Sequence, residues 1–192
     1  MVTFTECFII GVMVVILLMY VKRYYGEVEM MKSEADGRRY IVRKLPDSKQ
    51  AADILARINT SLQRVVKHMR KKYPNDRSIR RMESNYNPDA LSEGGAEVGY
   101  TSYSVNKGEK IVMCLRQSGG EFVDENVLTY VALHELAHLM TKEIGHPKPF
   151  WDNFARIVEE AIAIGVYQHV DFDNQPKPYC GITISSSVTK AK

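Results

Sequence analysis

The amino-acid sequence predicts an α+β fold, in which helices pack on a small antiparallel or mixed sheet, preceded by one N-terminal transmembrane helix. Residues 7–21 carry no charge and consist mainly of apolar side chains, as a membrane-spanning helix requires. Residues 97–105 and 110–116 have the composition of paired strands around a short polar turn that contains glycine. Apolar side chains recur at helical spacing over residues 51–69 and 150–162, which predicts two helices with one buried face each.

Composition sets few limits on function. The 192 residues suffice for one domain and a short appendage, and a net charge of +3 names no partner. The three cysteines, Cys7, Cys114 and Cys180, are widely spaced and form no CxxC pair, which disfavours both a disulfide scaffold and a thiolate zinc site. At most one disulfide is expected, between Cys114 and Cys180. A reducing compartment therefore suits the cysteine content at least as well as an oxidising one.

The apolar segment predicts an uncleaved membrane anchor over residues 1–23. With Phe4 and Thr5 included, the segment approaches the ~20 residues that a helix needs to cross a bilayer. No Lys or Arg precedes the segment, whereas a cleaved signal peptide begins with basic residues. A buried core helix is the alternative, although such helices are seldom apolar on every face. Lys22 and Arg23 follow the apolar run, so the positive-inside rule predicts a single-pass protein whose domain faces the cytoplasm.

The remaining chain is predicted to divide into a polar stalk (residues 24–37), one folded domain (residues 38–184) and a flexible tail (residues 185–192). The elements expected in the domain are a strand over 38–45, a helix from 48 to 73, a loop over 84–95, the hairpin, a helix from 125 to about 142, a helix from about 149 to 166, and a short strand within 179–184.

Basic residues are concentrated at the end of the first domain helix and in the turn after it. This basic cluster consists of Arg64, Lys67, Arg70, Lys71, Lys72, Arg77, Arg80 and Arg81. One interpretation is an acidic partner, either nucleic acid or anionic lipid headgroups. The other interpretation is a solvated helix face, which is the more common reason for a run of charges.

The pattern HELAH at residues 134–138 has the clearest chemical meaning. His134 and His138 are four residues apart, so on a helix their imidazoles lie one turn apart on the same face and can bind one metal ion. Glu135 lies about 100° further round the helix, where its carboxylate can meet a water on the metal. Asp124 predicts the N-cap of this helix, whose flanks are almost entirely apolar, so we expect the helix to be central.

A catalytic zinc site needs a third protein ligand and a position that is left to water. His146 is the preferred candidate, because it follows a glycine at which the chain can turn back over the helix end. The alternative is Glu159 or Glu160 on the next helix. The two remaining histidines, His68 and His169, are expected at the surface.

These residues resemble the WLM-type metallopeptidases, the relatives of the yeast weak-suppressor-of-smt3 protease and of the SprT group. Residues 105–116 look like the hairpin and edge strand of that family. The similarity continues through residues 134–138 and into residues 145–151, and is strongest over residues 99–154. The resemblance implies a zincin-like metallopeptidase domain.

Position by position, the resemblance implies a Zn²⁺ ion bound by His134, His138 and His146, with Glu135 as the general base. It also implies that an edge strand at residues 110–116 lines the cleft and pairs with an extended substrate. The spacer between His138 and His146 differs from the compact Gly-Pro-His form common in the family. Nuclear members cleave proteins crosslinked to DNA, a role that we do not transfer to a chain with a predicted membrane anchor. Small anchored proteins of this kind resemble those of large DNA viruses.

The predicted function is that of a membrane-anchored zinc metalloendopeptidase that cleaves protein or peptide substrates. Tyr100, Tyr103 and Tyr179 are candidate donors to the oxyanion, and the sequence does not choose among them. One alternative is a catalytically inactive zinc-binding module on a membrane. The other is a module that binds nucleic acid or anionic lipid through the basic cluster. A closed structural zinc site is disfavoured, because a buried Glu135 that binds no metal would be costly without a proton-transfer role.

Overall fold

A five-stranded mixed sheet forms one layer of the domain in the computed structural model, which describes residues 4–94 and 101–189. The strands lie in the order β1-β2-β3-β5-β4, in which β2, β3 and β5 are parallel while β1 and β4 run antiparallel at the two edges. Their bounds are β1 (Val28–Lys32), β2 (Arg39–Arg43), β3 (Leu91–Glu93), β4 (Tyr103–Val105) and β5 (Lys110–Met113). The α+β class and the mixed sheet expected from the sequence are confirmed.

Helices and a separate hairpin complete the described structure. They are α1 (Phe4–Gly26), α2 (Ser48–Lys72), α3 (Arg77–Asn85), α4 (Glu125–Met140), α5 (Lys148–Ala163), and the antiparallel pair β6 (Lys177–Tyr179) and β7 (Ile182–Ile184). The predicted helix starts at residues 48 and 125 agree with α2 and α4, and the predicted final strand is part of the β6–β7 hairpin.

The core lies between the sheet and the helices. In β2 the side chains of Tyr40 and Val42 are buried, while Arg39 and Ile41 alternate with them on the exposed face. The buried stripe of α2 packs on the face that carries Tyr40 and Val42, as its helical spacing of apolar residues predicts. The helix α4 is buried on nearly every side, since it contacts α2, α3 and α5 as well as the sheet. Residues on α4 are therefore held rigidly.

Short elements differ from the sequence expectations. Residues 28–32, expected in the polar stalk, form β1 and pair with β2. The expected loop at residues 84–95 contains β3, and α3 was not predicted although Asp76 caps it by accepting hydrogen bonds from the Ser78 and Ile79 amides. These segments are too short for a hydrophobic period to stand out, and their conformation is set by pairing with distant parts of the chain.

The N-terminal residues form a helix whose described side chains, at residues 5–20, are all exposed. Among the residues that the structure describes, no helix is long and apolar enough to cross a membrane. The transmembrane helix predicted over residues 1–23 is therefore not found.

Two features tie down the C-terminal part of the chain. A disulfide joins Cys114, just after β5, to Cys180, between β6 and β7, which is the pairing that the sequence allowed. In the expected flexible tail, Val188 N donates to Tyr130 Oη at 3.2 Å and Ser187 Oγ donates to Val170 O at 3.1 Å. Residues 187–189 are thus attached to the domain, and residues 190–192 lie outside the described residues.

Candidate metal centre

Three histidines meet at the C-terminal half of α4. His134 and His138 lie one turn apart on the helix, and His146 reaches them from the loop between α4 and α5. One ligand atom from each histidine lies within 4.8 Å of the others, and His134 Nε2 is 3.1 Å from His146 Nε2. Ligand nitrogens on a tetrahedral metal ion are roughly 3.3 Å apart for metal–nitrogen distances of about 2.0–2.1 Å. The cluster therefore fits the first coordination shell of a divalent transition metal with one position open.

The loop that brings His146 to the cluster has identifiable restraints. Thr141 ends α4 and donates its Oγ1 hydrogen to the carbonyl of Ala137 at 2.8 Å. Gly145 has a φ of +77°, a left-handed conformation that other residues adopt only with strain, so its glycine allows the chain to reverse. Lys107, in the β4–β5 turn, donates to the carbonyls of Thr141 at 3.1 Å and Glu143 at 2.6 Å. The role of Lys107 was not foreseen from the sequence, because it depends on a contact across 34 residues.

The ring of one phenylalanine packs against all three imidazoles. Phe150, fully buried at the start of α5, has its ring centroid 4.8 Å from that of His134, 4.5 Å from His138 and 4.6 Å from His146. The ring occupies one side of the cluster, which keeps water and further ligands away from that side.

Two of the imidazoles, those of His134 and His138, are neutral at physiological pH. Burial lowers the pKa of His134 to about 3, and its neighbours His138 and His146 add to the effect. Burial likewise lowers the pKa of His138 to about 4, with further contributions from His146 and Lys107. A neutral imidazole is the form that binds metal, so the protein holds these side chains ready for a cation at no cost in proton release.

Glu135 is buried beside the cluster, with 3% of its surface exposed. Burial raises its pKa to about 7, an effect that a hydrogen bond with the Ser104 side chain partly offsets. Its Oε2 atom has no hydrogen-bond partner among the described residues. A buried carboxylate oxygen without a partner is costly, so this atom is suited to a proton or a water molecule.

The strand that borders this carboxylate is β4. It forms the edge of the described sheet, and Ser104 in its centre is the hydrogen-bond partner of Glu135. The resemblance implied that residues 110–116 are the edge strand, and this expectation is wrong. Residues 110–113 form β5, which is paired on both sides, with β3 and with β4.

Of the three tyrosines considered as oxyanion donors, Tyr179 shares a cavity with Glu135. Tyr179 is buried, pairs its hydroxyl with Ser102 Oγ and lines the same cavity as His134 and Glu135. Burial is the main cause that raises its pKa, and the Glu135 charge acts in the same direction. Tyr103 is half exposed on β4, and Tyr100 lies outside the described residues.

The alternative third ligand lies elsewhere. Glu160 is buried between α2 and α5, where its carboxylate accepts hydrogen bonds from Lys72 Nζ and Tyr73 Oη and lies 2.7 Å from His68 Nε2. Glu159 is exposed on α5. The structure thus places His146, and neither glutamate, with His134 and His138.

The basic cluster is partly used inside the protein. Arg70 pairs with Glu83 and Lys72 with Glu160, while Arg64 and Arg81 donate to the backbone carbonyls of Ile164 and Met140. The other four residues of the cluster, Lys67, Lys71, Arg77 and Arg80, are exposed. Four of the basic side chains that the sequence suggested for an acidic partner therefore bind groups within the protein itself.

Comparison with known proteins yields one family. The family model described as the WLM domain matches residues 34–187. An uncharacterized protein of Acanthamoeba polyphaga mimivirus is 30% identical over 174 residues, which cover 88% of each chain. An uncharacterized protein of Invertebrate iridescent virus 6 is 28% identical over 162 residues, which cover 78% of this chain and 85% of the viral relative.

A solved structure shares the fold. The crystal structure of Wss1 from Saccharomyces cerevisiae superposes with a TM-score of 0.50 at 20% identity, and the match covers 70% of this chain and 91% of that one. The expected likeness to viral proteins and to the WLM fold is confirmed by these similarities.

Proposed function

The chain belongs to the WLM domain family, and from that premise we propose that it is a zinc-dependent metallopeptidase that hydrolyses peptide bonds in proteins or peptides. The observation that carries the proposal is the convergence of three imidazoles with the unpartnered Oε2 of a buried Glu135. A structural zinc site would have four closed ligands and no need for such a carboxylate.

The donor set supports zinc in particular. Three imidazole nitrogens with an open fourth position are the ligand set of many catalytic zinc sites, whereas Mg²⁺ and Ca²⁺ prefer oxygen ligands. When bound, zinc supplies Lewis acidity, which polarises the peptide carbonyl and lowers the pKa of water at the open position.

The protein's own groups then carry out the proton transfers. Glu135 Oε2 takes a proton from the attacking water and delivers it to the amide nitrogen that leaves. Its raised pKa, about 7 before metal binds, suits a group that must both accept and release a proton near neutral pH. We assign to Tyr179 the hydrogen bond that stabilises the developing oxyanion, since its hydroxyl is buried and lies in the same cavity.

The edge strand β4 supports an extended mode of substrate binding. A peptide that adds to the outer edge of Tyr103–Val105 would run past Ser104, the partner of Glu135. The scissile bond would then lie next to the catalytic carboxylate.

Attachment to a membrane through α1 is a further part of the proposal. The described side chains of α1 are exposed, and the aliphatic ones among them, such as Leu17 and Leu18 at 60% each, would be costly to leave in water. Such a helix gains from transfer into an apolar phase, which supports a location at a membrane.

The peptidase proposal is tested with the full chain in mild detergent, loaded with zinc and given an unstructured protein as substrate. Replacing Glu135 by Gln is expected to lower kcat about 10²–10⁴-fold, the usual contribution of a general acid–base group, with zinc content unchanged. Glu159→Gln, an exposed position on α5, is the matched control and should retain full activity. Equal turnover in Glu135→Gln and wild type would contradict the proposal.

A further inference from the structure

A cavity of about 260 Å³ opens beside the histidine cluster. His134 and Glu135 form part of its wall, so any group in the cavity lies next to the proposed site of hydrolysis. The volume corresponds to roughly eight or nine water molecules at about 30 Å³ each, which is room for one large side chain.

The wall of this cavity is predominantly apolar. The apolar lining comes from three elements: Tyr130 and Val131 on α4, Trp151 and Phe154 on α5, and Ile182 and Ile184 on β7. Apart from His134 and Glu135, the described lining residues contain no Asp, Lys or Arg, and their polar side-chain atoms are hydroxyls and the indole N–H of Trp151. An acidic side chain that entered would lose its hydration and be repelled by Glu135. A basic one would also lose its hydration, and its only charged partner in the described lining would be Glu135, the proposed general base.

The rim gives a second, independent indication. Trp151 and Ile182 line the cavity yet remain 47% and 52% exposed. Large apolar side chains at the mouth of an apolar cavity gain free energy when a ligand covers them. The surface is therefore suited to an apolar group that enters from solvent.

The wall formed by the β6–β7 hairpin is fixed in place. The disulfide Cys114–Cys180 ties the hairpin to the end of β5, Gln117 Nε2 donates to the carbonyl of Pro178 at 2.8 Å, and Tyr179 pairs with Ser102. A wall held at three points gives a preformed cavity, so little ordering is needed when a side chain binds.

We propose that this cavity is a specificity subsite for the residue that flanks the scissile bond, and that it selects a large apolar side chain such as Leu, Met or Phe. The inference deepens the proposed peptidase function and rests on it. It defines the substrates as exposed or unfolded segments of protein, because such side chains are buried in folded proteins.

The subsite is tested with the zinc-loaded full chain and a series of quenched fluorescent peptides that differ at one residue, with the cleaved bonds mapped by mass spectrometry. Leu or Phe at the flanking position is expected to raise kcat/KM about 10–100-fold over Ala, the effect of burying a side chain of that size. Glu and Lys should be poorer still. Equal rates for all these residues would overturn the inference.

A pair of neighbouring serines provides the matched variants. Ser186 lines the cavity and is exposed, whereas Ser185 is exposed and not among its lining residues. Ser186→Trp should narrow the cavity and reduce the ratio of kcat/KM for Leu over Ala at least tenfold, while Ser185→Trp leaves the ratio unchanged. The same ratio in both variants would overturn the assignment of the cavity.

A binding measurement separates this inference from the peptidase proposal. Trp151, at the rim, is the sole tryptophan of the chain, so its fluorescence reports binding in the Glu135→Gln protein. Tighter binding of Leu than of Glu peptides, with no cleavage by wild type, would sink the peptidase proposal and retain the apolar site. Cleavage without any preference would sink the subsite alone. Absence of both cleavage and preferential binding would overturn both.

Discussion

At the scale of single residues, Glu135 and Glu160 show that burial alone does not decide what a carboxylate does. Both side chains are almost inaccessible to solvent, with 3% and 6% of their residue surfaces exposed. Burial raises the pKa of Glu135 to about 7, since it has few partners to stabilise its charge. Burial also acts to raise the pKa of Glu160, but hydrogen bonds from Lys72, Tyr73 and His68 outweigh it and hold the pKa at about 2. The first environment is suited to proton transfer and the second to stabilising the fold.

We therefore expect Glu160→Gln to destabilise the protein. The substitution leaves Lys72 and His68 without the carboxylate that joins α5 to α2, so the free energy of unfolding should fall by about 1–3 kcal/mol at pH 7. Urea denaturation of the purified protein measures the change. Glu159→Gln, the exposed neighbour, should leave the free energy of unfolding unchanged.

The pH dependence of this effect has a defined sign. Because the folded-state pKa of Glu160 lies below its unfolded value of about 4.5, its stabilisation is fully present above pH 4.5 and is lost as pH falls towards 2. The difference in unfolding free energy between wild type and Glu160→Gln should shrink over that window. A difference that stays constant from pH 7 to pH 3 would contradict the ion-pair explanation.

At the scale of elements, the β4–β5 turn supports the metal centre although none of its residues is a ligand. Asn106, Lys107 and Gly108 all have positive φ, and a Cβ atom at Gly108 would collide with the carbonyl oxygen of Asn85. This close packing places Lys107 over the end of α4, where its two hydrogen bonds hold the loop that leads to His146. The turn thus acts on the metal site through the position of one ligand.

Replacing Lys107 by Met is expected to weaken zinc binding about 10–100-fold, the usual cost of losing a group that orients a ligand. Competition with a chromophoric zinc chelator measures the affinity directly, and the melting temperature of the metal-free protein reports whether the fold is retained. Lys110→Met removes an exposed lysine from β5 and serves as the control. Equal zinc affinities in the two variants would show that Lys107 has no positioning role.

The edge of the sheet shows what sequence reasoning could not reach. The hairpin at residues 103–113 was predictable from alternation and a glycine-containing turn, and α4 from its Asp124 cap and apolar flanks. Which strand forms the edge depends on β3, three residues that insert beside β5 from elsewhere in the chain. That pairing leaves no local signal that could correct the edge at residues 110–116, which the resemblance implied. The cavity wall was not predictable for the same reason, since β6–β7 is joined to the site by a disulfide between two cysteines that lie 66 residues apart in the sequence.

At the scale of the whole molecule, the chemical centre was more predictable than its surroundings. The meeting of His134 with His138 follows from helix geometry, and the approach of His146 needs only a short loop with a glycine. Two other features concern how the molecule is placed in its environment: the cost of exposing α1 to water, and the exposed basic residues Lys67, Lys71, Arg77 and Arg80. These two features predict different physical responses to salt, because apolar transfer is insensitive to screening and attraction to anionic headgroups is not.

Vesicle flotation of the full chain tests both features. If α1 attaches the protein, binding to neutral phosphatidylcholine vesicles should survive 0.5 M salt and be lost in Leu17→Lys/Leu18→Lys, which interrupts the apolar run. Met30→Lys replaces an equally exposed apolar side chain on β1 and should float like wild type.

A contribution from the basic cluster is tested in the same assay. If the cluster contributes, anionic vesicles should bind the Leu17→Lys/Leu18→Lys protein at low salt. Adding Lys67→Glu/Lys71→Glu to that protein should abolish the binding, since both lysines are exposed. Full flotation of Leu17→Lys/Leu18→Lys on neutral vesicles would show that α1 is not the point of attachment.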